Sequence, residues 1–214
     1  MEKKTYSLTV GGKEMIAEFS DLAEQARGSV ILRYGNTAVL ATAVMSSRLR
    51  EDIDYFPLTV DFEERYYAAG SILGSRFMRR EGRPSDQAIL NGRIVDRTIR
   101  PLFPQHIRNE VQVVITVLSL DEEDPSQVAV NAASLALGTS DIPWAGPVAA
   151  VRIGRVGGKT LINPTYKERD EGDLDVLACG KDNTINMIEV AAHEADEASV
   201  AATFEMAIRS NRRR

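Results

Sequence analysis

The sequence predicts an α+β fold with mixed sheets and packed helices, built as two similar β-rich halves. Three observations predict it. Period-2 alternation fills the first part of the chain. Two helical segments with cap and proline signals then follow. Strands separated by Gly-Gly turns return before a last helix. The order of strands, helices, strands and helix is not the regular βαβ alternation of a parallel sheet.

Each element has its own signal. Tyr6, Leu8 and Val10 alternate with Thr5, Ser7 and Thr9, the pattern of a half-buried strand. Gly11-Gly12 turns the chain into a strand over 14–19. Residues 29–34 and 37–45 pair across Gly35-Asn36, and 55–62 reads as a further strand. A Gly- and Arg-rich loop, 69–84, precedes a helix capped by Ser85 that runs to Ile99. Pro101 and Pro104 mark its end. Residues 111–118 form a buried strand. Pro125, at home in a first helical turn, opens a second helix through Val128, Ala132, Leu135 and Leu137. The second half repeats the scheme: a strand over 148–153, a Gly157-Gly158 turn into 159–163, then strands over 174–178 and 185–190. The last helix, 194–208, carries Val200, Phe204, Ala207 and Ile208 on one face. No Gly/Ser- or Pro-rich linker divides the chain, so 1–209 reads as one domain. Ser210-Asn211-Arg212-Arg213-Arg214 reads as a truncated end or tail.

With 214 residues, 43% of them hydrophobic, the chain can build one substantial core. No apolar run approaches the ~20 residues of a membrane span, and Met1-Glu2-Lys3-Lys4 leads straight into strand sequence without an apolar leader. The single cysteine, Cys179, excludes an internal disulfide, fits a reducing compartment and sits in an apolar run as a buried structural thiol. These features predict a cytoplasmic protein with no membrane partner. His106 and His193 are far apart in sequence and read as surface residues.

Charge is unevenly placed. The net charge is −5, yet 76–100 holds seven arginines against Glu81, Asp86 and Asp96, so this window is +4 and the remainder −9. That points to a localized anion site rather than a uniformly sticky surface. Within the window, Phe77 and Met78 adjoin Arg79 and Arg80 in a glycine-rich loop. A ring for a base and guanidiniums for phosphates are what single-stranded nucleic acid requires. The same residues also suit an inward-packed Phe77 with a solvated arginine rim. Arg93, Arg97 and Arg100, spaced i, i+4 and i+7, share a helix face. They suit a phosphate track or internal ion pairs to carboxylates on neighbouring strands.

Several stretches resemble the polynucleotide phosphorylases. They are Gly35-Asn36-Thr37-Ala38-Val39-Leu40, Asp54-Tyr55-Phe56-Pro57-Leu58-Thr59-Val60 and Glu64-Arg65-Tyr66-Tyr67-Ala68-Ala69-Gly70. To these are added Arg79-Arg80-Glu81-Gly82-Arg83-Pro84-Ser85, Asp96-Arg97-Thr98-Ile99-Arg100-Pro101-Leu102-Phe103-Pro104 and Asn109-Glu110-Val111-Gln112-Val113. The resemblance implies the first of two ribonuclease PH-like domains, in enzymes that form ring-shaped trimers and also carry a helical linker and KH and S1 modules. Such enzymes degrade RNA, including mRNA, from the 3′ end with phosphate as co-substrate and Mg2+, releasing nucleoside diphosphates reversibly. It assigns RNA contact to Phe77, Met78, Arg79 and Arg80, with Met78 in place of the usual second aromatic, and supports Arg93, Arg97 and Arg100. The implied partners are single-stranded RNA, a second ribonuclease PH-like domain and two further copies in a homotrimer.

The family's chemistry lies in its second domain, where a serine-rich turn binds phosphate and an Asp-x5-Asp-x-Lys set holds the metal end. Here the turn reads Asp124-Pro125-Ser126-Gln127, and the set reads Arg169, Asp175, Leu177. A one-residue slip substitutes Asp170 for Arg169 and leaves Leu177. No catalytic or metal residue is therefore expected in this chain, and Asp170, Glu171, Asp173 and Asp175 read as a solvated acidic turn. The expectation is an RNA-gripping, noncatalytic half. The alternatives are a stand-alone ribonuclease PH-like phosphorolytic enzyme and an inactive ring scaffold of the exosome kind.

Overall fold

The computed structural model describes residues 3–74 and 81–211. Among them are ten strands and four helices: β1 (Lys3–Val10), β2 (Lys13–Ser20), β3 (Gly28–Tyr34), β4 (Thr37–Leu49), β5 (Leu58–Glu63), α1 (Asp86–Ile99), β6 (Asn109–Ser119), α2 (Pro125–Gly138), β7 (Ala149–Val156), β8 (Lys159–Ile162), α3 (Tyr166–Asp170), β9 (Leu174–Lys181), β10 (Thr184–Ala192) and α4 (Glu197–Asn211). The first sheet runs β1-β2-β3-β4-β6-β5, antiparallel except where β5 lies parallel to β6. The second runs β10-β9-β7-β8, antiparallel throughout. The two β-rich halves expected from sequence are present, one per sheet, and the first sheet is mixed through its parallel β5–β6 pair.

Helix α2 holds the halves together. Pro125 to Ala133 are all buried, because α2 packs against β3 and β4 on one side and β7 on the other. Its cap is Asp124, whose carboxylate accepts the Ser126 N–H at 2.8 Å. The approach to the first sheet is close. A methyl on Gly28 would overlap the Ala136 carbonyl, so glycine is required there for contact rather than for its φ. Helix α1 packs on β5 and α2, and its cap is Ser85, which accepts the Ala88 N–H at 3.0 Å. Helix α4 covers the far side of β7 and β9, where Val200, Phe204 and Ala207 meet Val151, Ile153, Val176 and Ala178.

Four expectations shift. Strand β1 is exposed on both faces up to Val10, with Tyr6 at 62%. It is the sheet edge, beyond the reach of α2. The strand expected over 55–62 begins at Leu58, since Pro57 has no N–H for the ladder and only its carbonyl pairs, with Val111. The last helix starts later than 194. Glu194 has φ +54, and Asp196 accepts the Ser199 N–H at 2.9 Å. Helix α3 was not anticipated. Its signal is Thr165-x-x-Glu168: the Glu168 carboxylate accepts the Thr165 N–H at 2.7 Å, and the Thr165 hydroxyl faces Glu168 in return.

Cys179 is fully buried, and desolvation pushes its thiol up to about 12, so it stays protonated and inert. His106 and His193 are exposed.

Candidate nucleic-acid interface

Phe77, Met78, Arg79 and Arg80 lie outside the described residues. The helix that follows them is described in full. Arg93 and Arg97 sit one turn apart on α1, both exposed, and neither has an ion-pair partner within 4.0 Å among the described residues. Two unpaired guanidiniums on one exposed face make a cationic strip suited to successive phosphates. Arg100 departs from them. It stands beyond the last turn of α1 and folds back on Asp96, with contacts of 2.5 and 2.6 Å. It also donates to the Leu58 carbonyl at 3.1 Å. Its side chain braces α1 against β5 through a backbone carbonyl, while its ion pair is with its own helix and not with a carboxylate on a neighbouring strand.

A second charged site lies beside α1, in a cleft of about 670 Å³ walled by α1, α3, β9 and β10. Two aspartates and two arginines meet at its base. Asp124 arrives as the α2 cap, Asp175 on β9, Arg152 on β7 and Arg169 on α3. Asp124 Oδ2 accepts from Arg152 at 3.0 Å and from Arg169 at 2.8 Å. Asp175 Oδ2 accepts from the same two guanidiniums, both at 2.8 Å. Arg152 also reaches the Ser126 hydroxyl at 3.3 Å. Its backbone N–H is held by Asn163 Oδ1 at 3.0 Å and Gln127 Oε1 at 3.2 Å, and Arg169 lies 5.4 Å from the Tyr166 ring centroid. Burial and the charge of Asp124 raise the Glu64 carboxyl above its ordinary range.

This arrangement decides what the site can do. Asp124, Arg169 and Asp175 fall in the turn and the carboxylate set that the sequence resemblance singled out for comparison; Arg152 does not. The N-terminus of α2 carries its own carboxylate, Asp124, which accepts the Ser126 N–H and whose charge opposes the entry of an exogenous anion. Each aspartate has one oxygen shared between two guanidiniums, and a divalent cation entering here would meet two positive charges at hydrogen-bond distance. The residues present do not fit a metal. Among the described residues no group of three or more acidic, histidine or cysteine side chains has metal-binding geometry.

The acidic run is corrected accordingly. Asp175 is not solvated: its side chain is 14% exposed and doubly paired. Asp173 pairs with Arg155 at 2.7 Å, which holds its carboxyl below the usual range. The sequence reading missed Arg152. Its signal was available: a single arginine between Val151 and Ile153 in a buried strand must bring its counter-charges inside with it.

Comparison with known proteins adds a family. Residues 11–143 match the model described as 3′ exoribonuclease family, domain 1, and 146–210 match domain 2 of that family. The boundary between them separates the two sheets. The polyribonucleotide nucleotidyltransferase of Thermus thermophilus is 50% identical over 203 residues, 94% of this chain and 28% of that protein. That of Pseudothermotoga lettingae is 52% identical over 198 residues, 92% and 28% respectively. The chain thus spans about 28% of the length of the curated relatives it matches. Two solved structures share the fold. The Archaeoglobus fulgidus exosome with RNA bound to the active site aligns at TM-score 0.70 and 20% identity over 99% of this chain and 86% of that one. Rice Rrp46 aligns at TM-score 0.73 and 14% identity over 99% and 90%.

Proposed function

Since the chain belongs to the 3′ exoribonuclease family, we propose that it is the RNA-gripping, structural half of a phosphorolytic exoribonuclease of the polyribonucleotide nucleotidyltransferase type, acting in RNA degradation. In this reading 1–209 works as one ribonuclease PH-like unit. The catalytic centre, with phosphate as co-substrate and Mg2+, lies in a second such domain outside this chain. The partners are single-stranded RNA, that second domain and, in a homotrimer, two further copies. The setting is cytoplasmic.

The observation that carries the noncatalytic reading is the Asp124–Arg152–Asp175–Arg169 network. Its charges cancel internally, where the chemistry would need free carboxylates and an open phosphate cradle. The RNA grip is supported by Arg93 and Arg97 on α1, which have no ion-pair partner among the described residues; α1 follows the Phe77–Met78–Arg79–Arg80 segment in sequence. Arg100 is the weakest member of the track, because contact with phosphate would have to break its two bonds to Asp96.

The chain should bind single-stranded RNA weakly. Four phosphate contacts, from Arg79, Arg80, Arg93 and Arg97, give a slope of log K against log salt of roughly −3, at about 0.7 per contact for single strands. Fluorescence anisotropy with a labelled oligonucleotide over a salt series measures it. A slope near zero, or no binding at low salt, contradicts the grip.

A further inference from the structure

We propose that the cleft between the two halves, bounded by the edge strand β1, binds a small, flat, neutral heteroaromatic molecule that carries a ring N–H. The cleft holds about 670 Å³, within the range of small-ligand sites. It shares no residue with the Arg93–Arg97 strip or with the four-charge network.

The cleft follows from the reach of α2. That helix packs on β3 and β4, yet the sheet stays apolar on the same side out to its edge. Tyr6, Ala17 and Leu32 are cross-strand neighbours there, as are Leu8 and Met15. Met15 and Leu32 are buried, whereas Leu8 is 39% exposed and Tyr6 stands more open still. The opposite wall belongs to the second half and is held in place. Asn131 on α2 bonds both the N–H and the carbonyl of Ala150, each at 3.0 Å, and Ser134 accepts the Val148 N–H at 3.0 Å. Leu135 on α2 lies between the two walls.

The polar end sets the ligand class. Asn211, at the end of α4, lines the cleft. Its Nδ2 donates to the Ala178 carbonyl at 3.4 Å, while its Oδ1 is buried and accepts from no donor among the described residues. A ligand N–H satisfies such an acceptor. The charges that line the cleft, Lys181 and Asp182, are opposite in sign, and the Lys181 ammonium already donates to the Ala145 carbonyl at 2.5 Å. An ionic ligand would lose its hydration here without a free counter-charge, so a neutral one fits. A flat ring covers the apolar walls and meets the Tyr6 ring at the mouth. Bound there it touches both halves, and its occupancy stabilises their association.

Indole is the probe, and indene, which has the same shape and no N–H, is its control. Both are titrated into the isotope-labelled chain and into the variants Asn211→Ala and Leu8→Trp, followed by amide chemical shifts. Indole is expected to bind saturably with a Kd of about 1 mM, the scale of a fragment-sized ligand, and to shift the amides of Met15, Leu135 and Ala149 from the three sides of the cleft. Indene is expected to bind about tenfold more weakly, the worth of one buried hydrogen bond. N211A should bring indole down to the affinity of indene and leave indene within about twofold. L8W fills the mouth from an exposed edge position and should weaken both at least about tenfold. At ten times its Kd, indole should raise the melting temperature of the parent by about 3 °C. Absence of saturable shifts at the three sides, or L8W binding like the parent, overturns the site. Equal affinity of indole and indene for the parent, or discrimination that survives in N211A, overturns the ligand class; the N211A comparison holds whether or not L8W folds.

Discussion

Replacing Arg152 with alanine is expected to cost about 3–5 kcal/mol of folding stability, the range for removing one partner of a buried ion pair. Arg152 is 7% exposed and reaches both Asp124 and Asp175, themselves 5% and 14% exposed. Without it the two carboxylates keep only Arg169, and one negative charge is left inside with nothing to balance it. The Ser126 hydroxyl and a cavity of guanidinium size add to the loss. For a chain of this length the melting temperature should fall by roughly 10 °C, read by differential scanning calorimetry. Arg169→Ala is the comparison. Arg169 bonds the same two oxygens but is 23% exposed, so water can replace part of what it supplies and the loss should be clearly smaller. Equal losses would mean that the charges, and not their depth, set the cost.

The double variant R79A/R80A should bind single-stranded RNA at least about tenfold more weakly at low salt, with the salt slope reduced by about 1.4, two contacts at 0.7 each. On the RNA-grip reading, the thermal transition should stay that of the parent. The slope is the sharper readout. A loss of affinity with the slope unchanged would show that the arginines act through something other than phosphate. Phe77→Ala should do the reverse: weaker binding by about 1–3 kcal/mol with the slope kept, because stacking releases no counterions.

The residues that made the fold legible are those whose signals are local. Ser85 and Pro125 start helices where their side-chain chemistry places them, and Gly11-Gly12 and Gly157-Gly158 turn at positive φ as hairpin glycines do. Helix α3 was equally local, in Thr165 and Glu168, but five residues are too few to show a period. Strand β1 alternates well enough to look half-buried. Its exposure depends on how far α2 extends across the sheet, which no window of sequence contains. The candidate site divides in the same way. The Arg93 and Arg97 face follows from helical spacing alone. The Arg100–Asp96 bond is also local, at i, i+4, and was underweighted. The four-charge network joins residues 124, 152, 169 and 175 from four different elements. Sequence singled out Asp124 and Arg169 as departures from a pattern and Asp175 as the one residue that keeps it, but only the packing of α2, β7, α3 and β9 shows that they neutralize one another around Arg152.

The most direct test is phosphorolysis by the purified chain alone. Labelled single-stranded RNA, inorganic phosphate and Mg2+ are incubated with it, and nucleoside diphosphates are followed by chromatography under conditions where RNA binding is independently confirmed. The account predicts that RNA is bound and no nucleoside diphosphate appears at any phosphate concentration. Phosphate-dependent release of nucleoside diphosphates, absent from a matched preparation of Arg152→Ala, would place the chemistry on this chain and contradict it.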